Sequence, residues 1–326
     1  MIQVFKRNDI SAYIALLLVT ILCKLKFFLY PTPITLDAEA FKALFFSLGG
    51  LKLFYEVHPF LYMMVSILLQ YVFAIVLNTA MINHRLFPQK NMLIGLAFVL
   101  ITSFFSEFNY FSTAFIANFF LTIAFVTILK LSTTSQPRQR CFNIGLLMGL
   151  ASFFYFPSIV LFVVFLFFIW LLRPFVLQEA IAYFLGFISC FYGAIAYLYL
   201  TDHLLLNRIQ PHFHFGLPTR IQNPNLVIWF AVVFIVLLIR SAVLSNNNVR
   251  KEPMIVRKKW RLVYVYLIFA TVSSLFSSNF PSAFLIVALT PFSILLSQSF
   301  NHHKEKWNIF TLLFILLSIL GMHWVL

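Results

Sequence analysis

The sequence predicts an all-α fold, a polytopic transmembrane helix bundle of about 11 helices with its N-terminus inside and its C-terminus outside. Three observations predict it. Hydrophobic residues make up 62% of the 326 and charged residues 10%, where a soluble domain carries about 25% charged residues. Apolar runs continue for the roughly 17–25 residues that a helical crossing needs. The 23 Lys and Arg sit mainly in the gaps between those runs. The net charge of +14 therefore reads as membrane orientation, and nucleic acid is excluded as a partner.

The elements follow in order. A first helix covers Ile10–Phe28, and its flanks mark it as a retained helix rather than a cleaved leader. The outer segment 30–58 holds a shorter amphipathic helix over Ala38–Leu53. Helices follow over Pro59–Asn78, Met92–Phe105 and Thr113–Leu131. The apolar run Phe142–Leu172 is too long for one crossing, and Pro157 divides it into two helices. Further helices cover Leu177–Leu200, Asn225–Leu244, Leu262–Ser277, Ala283–Gln298 and Asn308–Leu326. All belong to a single transmembrane domain, 1–326, with a second long outer segment at 201–224.

Alternating sides from an inner N-terminus puts only Lys24, Lys26, Lys42, Lys52, Arg208 and Arg220 outside. All other Lys and Arg fall inside, as the positive-inside rule requires. The division at Pro157 must count as two crossings, because one would send the Arg250–Arg261 cluster outside. That cluster suits anionic lipid at the inner leaflet. Lys24 and Lys26 close the first helix and snorkel outward. The 43 Phe suit lipid contact, and 9 Gly are few for a core built on small-residue packing. Cys23, Cys141 and Cys190 have no CxxC spacing and read as small core residues.

Acidic residues are scarce, so their placement is informative. Asp37, Glu39 and Glu56 lie in the first outer segment, Glu107 in the next outer turn and Asp202 in the second long segment. Asp37 and Glu39 are the candidate catalytic pair, as general base or metal ligand for a lipid-linked substrate. The plainer alternative is that Asp37 caps the amphipathic helix and the others are solvated. In the second outer segment Arg208 and Arg220 could hold a phosphate by bidentate hydrogen bonds. His212 and His214 stand between them. Their spacing would suit a metal only in an extended segment, and no third ligand is local. Headgroup contact is therefore preferred to metal binding, with an interfacial loop as the structural alternative. His58 precedes Pro59 at a helix start; it is a polar flank first and a substrate contact beside Glu56 second. No cofactor is expected, a divalent metal being the one alternative left open. Asn78, Asn83, Asn109 and Asn118 are expected to join helices rather than bind substrate. No ionisable residue is placed clearly in mid-span, Glu179 near an inner end being the nearest to one, which speaks against an ion-coupled transporter.

Two stretches carry a resemblance. One runs from Asn78 to Lys130 through Asn83-His84-Arg85-Leu86-Phe87-Pro88 and Ser106-Glu107-Phe108. The other runs from Phe142 to Gly186 through Gly149-Leu150-Ala151-Ser152 and Leu172-Arg173-Pro174-Phe175. Together they resemble a family of uncharacterised multi-pass integral membrane proteins of Bacteroidota. Where that family has Arg-Glu-Trp, this chain has Gln178-Glu179-Ala180. A fold-level similarity to GT-C-type lipid-linked-sugar glycosyltransferases rests on the inner N-terminus and on acids soon after the first helix. It implies a GT-C-like bundle acting on a polyprenyl-phosphate-linked sugar at the outer face of the bacterial inner membrane. Two other function classes stand beside it: a non-catalytic subunit or scaffold that partners other envelope proteins, and a transporter. Membrane lipids are partners in all three.

Overall fold

A computed structural model describes residues 2–7, 9–29, 58–87, 90–104, 107–109, 112–133, 135–200, 224–250, 252–273, 285–301 and 305–325. A short helix α1 (Ile2–Phe5) precedes α2 (Ile10–Leu29), α3 (Pro59–Asn83), α4 (Leu93–Thr102), α5 (Thr113–Leu129) and α6 (Pro137–Phe154). Then come α7 (Ile159–Leu172), α8 (Leu177–Leu200), α9 (Pro224–Val249), α10 (Met254–Ser273), α11 (Ile286–Ser299) and α12 (Glu305–Val325). Helices α2 to α12 fall on the segments expected from hydropathy. The amphipathic helix expected at Ala38–Leu53 and the outer segment 201–223 lie outside the described residues.

Local chemistry sets the helix ends. Pro stands at the start of α3 and α6, where its missing N–H has no intrahelical partner to lose. Ser112 caps α5 by accepting from the Phe115 amide at 3.2 Å. The division at Pro157 is present: Tyr155 is extended (φ −142°, ψ 97°) and a 3-10 turn, Phe156–Ser158, restarts the chain into α7. The α3 terminus is a Schellman motif. Leu86 N–H donates to the Met81 carbonyl and Arg85 N–H to the Ile82 carbonyl. Its left-handed residue is Arg85 (φ 55°) rather than Gly.

Three helices are long and apolar enough to cross a membrane, Ile10–Phe27, Pro59–Asn83 and Leu177–Ala196, and shorter apolar helices accompany them. The chain is a helical membrane protein. The expectation of about 11 crossings is narrowed by length. At 1.5 Å per residue α4 is about 15 Å long, half of a hydrocarbon core of about 30 Å. Every residue of α4 and of α11 is buried. These two helices pack against each other at the centre. Helices α2 and α3 flank α4, while α5, α9 and α10 flank α11.

Three further expectations are corrected. Helix α10 begins at Met254, so Arg257–Arg261 lie on a helix and Lys259 is buried, at 7% exposure. Phe is as much a core residue as a lipid-facing one: Phe98, Phe125, Phe165, Phe168 and Phe292 are buried, while Phe60, Phe167 and Phe310 are exposed. The few glycines do build a small-residue interface. Gly145 and Gly149 on α6 face Gly186 on α8 so closely that a Cβ on Gly145 would lie 2.0 Å from the Tyr183 carbonyl oxygen. A Cβ on Gly186 would lie 2.1 Å from the Phe142 carbonyl oxygen. This is the close backbone approach of GxxxG packing.

Candidate functional site

The sequence-predicted site residues separate into two groups. Asp37, Glu39, Arg208, His212, His214 and Arg220 lie outside the described residues. His58 is exposed and stands at the N-cap of α3.

Helices α2 and α3, which flank residues 30–57 in sequence, share a polar joint and a groove. Helix α2 ends, and α3 begins, where the chain leaves for and returns from residues 30–57. Between them, Lys24 Nζ donates to Asn109 Oδ1 at 2.6 Å, to Thr102 Oγ1 at 3.1 Å and to Gln70 Oε1. Gln70 Nε2 in turn donates to the Phe108 carbonyl at 2.8 Å. Thr102 Oγ1 donates to the Val99 carbonyl at 3.0 Å. Four segments thus meet on one ammonium: α2, the middle of α3, the end of α4 and the turn Glu107–Asn109. All four side chains are buried, with Lys24 at 0% exposure.

The expectation that Lys24 snorkels outward is therefore overturned. The physical reason is satisfaction: three neutral oxygens take all three ammonium protons, so the group has no need to reach water. The sequence carries the depth of this lysine but not the partners that packing brings to it. Lys24 is 14 residues past Ile10, about 21 Å along the helix, which is short of the hydrocarbon thickness. An intramembrane cation at that depth demands partners, and packing supplies Gln70, Thr102 and Asn109.

Beside this joint, α2 and α3 wall a groove of ≈ 560 Å³, within the usual range for a small-molecule site. Leu17, Ile21, Leu25, Met64, Leu68 and Val72 line it and are exposed. Thr20 and Lys24 stand on its inner wall. Its chemistry is that of a hydrocarbon chain's environment. The lysine ammonium is committed to the joint and offers the groove little beyond its stem.

Asn78, Asn109 and Asn118 join elements, as the sequence implies, while Asn83 is exposed at the end of α3. Asn78 Nδ2 donates to the Asn91 carbonyl at 2.8 Å. Asn118 Oδ1 accepts from Thr290 Oγ1 at 2.9 Å, linking α5 to the central α11. Neither stands in a polar cavity among the described residues. Cys23, Cys141 and Cys190 are free thiols.

At the opposite end of the bundle, cations cap carbonyls. Arg173 Nη1 donates to the Leu131 carbonyl at 3.2 Å and pairs with Glu179 at 3.7 Å. Arg140 Nη1 donates to the Lys130 carbonyl at 3.3 Å, and Lys259 Nζ to the His84 carbonyl at 3.0 Å. These bonds involve four of the gaps that charge counting assigned to the inner side, those around residues 84, 130–140, 173 and 259. Glu179, the one residue that the family-like Gln178-Glu179-Ala180 stretch keeps, is buried and held by this Arg173.

Residues 40–325 match the family described as "Family of unknown function (DUF6427)". No curated protein matches the chain, and no solved structure does.

Proposed function

We propose that this chain, which belongs to the DUF6427 family, acts on a lipid-linked substrate at the outer face of a bacterial inner membrane. The groove between α2 and α3 carries the reading. It is apolar and long enough for part of a lipid chain, it is walled by two of the three full-length spans, and it lies below the helix ends that bracket residues 30–57. A hydrocarbon chain lying there brings its headgroup toward the end of α2 and the start of α3, between which the sequence holds Asp37 and Glu39. A polyprenyl-phosphate-linked sugar is the substrate class that matches a greasy chain beside carboxylates, and transfer of that sugar is the corresponding chemistry. Since Lys24 is fully engaged, phosphate holding falls to Arg208 and Arg220, whose guanidinium forks suit it. His58, His212 and His214 complete the headgroup contacts.

The test replaces Asp37, Glu39, Arg208 and Arg220 singly and compares envelope glycans. Loss in Asp37→Asn or Glu39→Gln supports enzymatic use of the carboxylates. Wild-type profiles in all four variants sink the reading. Introducing Leu68→Trp to fill the groove separates chain binding from headgroup chemistry. It should lower photo-crosslinking to a polyprenyl probe while leaving the bundle folded.

A further inference from the structure

The geometry points to a binding site for a phosphate-type anion at the end of the bundle opposite the α2–α3 groove, built from His84, Lys130, Arg140 and Lys259. The four residues come from four places in the chain: the turn after α3, the end of α5, the first turns of α6 and the first turns of α10. Folding, and not a charge run, brings the Lys259 ammonium to the His84 carbonyl and the Arg140 guanidinium to the Lys130 carbonyl. Lys259 ties the cluster together. It is buried, at 7% exposure, and its ammonium donates to the His84 carbonyl at 3.0 Å. That is its one hydrogen bond among the described residues, and an ammonium carries three donors. Phe87 packs edge-on against Trp260, ring centroids 5.7 Å apart, and fixes the turn against α10.

His84 supplies the unpartnered group. Its Nε2 is buried and has no hydrogen-bond partner among the described residues. A buried polar nitrogen without a partner is costly, so it is informative. Among the described residues, the charged groups that act on this imidazole are cations: Lys259, Lys130 and Arg140. Arg85, beside it in the left-handed position of the turn, acts on Lys259 with the same sign. The carboxylate of Glu179 is already held by Arg173. Burial, and then those three cations, push His84 down to about 4. It is thus neutral at pH 7, and its Nε2–H tautomer donates one hydrogen bond. A phosphate oxygen would accept that hydrogen bond, offset the mutual repulsion of the cations and accept from the remaining Lys259 donors. The α6 N-terminus, starting at Pro137, adds a positive helix end to the same region.

General attraction to an anionic leaflet needs dispersed charge alone. It does not need a buried lysine or an unpartnered imidazole. The ligand class is a phosphate anion, from either a lipid headgroup or free phosphate, and the experiment separates the two.

Full-length protein with ¹³C-labelled histidine is placed in nanodiscs, and the His84 resonance, assigned with His84→Gln, is titrated with pH. One arm adds inorganic phosphate to phosphatidylcholine discs; the other replaces half of the lipid with phosphatidylglycerol. Binding raises the His84 midpoint by about one unit or more, as an opposite charge at close range does. A rise with inorganic phosphate assigns the site to a free anion. A rise only with phosphatidylglycerol assigns it to a headgroup. The rise should be lost in Lys259→Gln and in Arg140→Gln, and kept in Arg257→Gln, whose side chain is exposed. Arg140 lies nearer the surface, so its variant carries the test should Lys259→Gln fail to fold. No rise in either arm overturns the proposal. So does an equal rise in Arg140→Gln and the wild type, because a diffuse field would then be sufficient.

Discussion

Lys24 Nζ and Asn109 Oδ1 lie 2.6 Å apart across 85 residues of sequence. This bond makes a helix-end lysine an interior strut, holding the turn after α4 against α2. Replacing Lys24 with Met removes the charge but strands the oxygens of Gln70, Thr102 and Asn109. Each buried acceptor left without a partner costs about 1–3 kcal/mol. Lys24→Met should lower the thermal midpoint of the detergent-solubilised protein markedly. Lys26→Met, one residue pair further along and only half-buried, should lower it less. Equal midpoints for the two variants would show that the joint contributes nothing to stability.

The α6–α8 seam makes a sharper forecast. A side chain at Gly145 or Gly186 meets backbone oxygen at about 2 Å, and backbone cannot rotate away as a side chain can. Gly145→Ala and Gly186→Ala should each destabilise by at least the ~1–3 kcal/mol of ordinary overpacking. Gly193, with nothing within 4 Å of its would-be Cβ, is the internal control, and Gly193→Ala should be tolerated. Thermal midpoints of the three variants decide this.

The left-handed Arg85 carries a conformational cost of roughly 1–2 kcal/mol that Gly would not. Arg85→Gly should keep or raise the thermal midpoint, and Arg85→Val should lower it. If Arg85→Val matches the wild type, the Schellman turn is not under selection by its geometry.

His84 makes stability depend on pH with a definite sign. Its folded value, about 4, lies below the ordinary 6.5. Between those values the unfolded chain binds a proton that the folded chain refuses, so stability falls as pH falls. The contribution is fully present above pH 6.5 and is lost progressively down to about 4. A thermal midpoint measured from pH 7 to 4.5 should drop less steeply in His84→Gln than in the wild type. Parallel curves would remove His84 as the titrating group.

The sequence by itself determined the class and the segments. A chain that is 62% hydrophobic satisfies its backbone in lipid as helices or as a closed barrel, and apolar runs of about 20 residues select helices, so hydropathy locates them. Pro157 has no amide hydrogen to give, and that is a local fact, so the break before α7 was legible too. The asparagine joints were also readable, because a buried amide among apolar helices must find a partner.

What only the tertiary structure decided was which helices surround which. Hydropathy cannot distinguish lipid from protein, since both are apolar. It therefore reads α4, enclosed on all sides, in the same way as α8, which faces lipid. Nor does it reveal that three of the scarce glycines, Gly145, Gly149 and Gly186, share one seam, since close approach is a property of two helices and not of one. The fate of Lys24 turned on the same point. Whether a lysine near a helix end reaches water or stays inside depends on the oxygens that packing brings to it, and here Gln70, Thr102 and Asn109 arrive from three other segments.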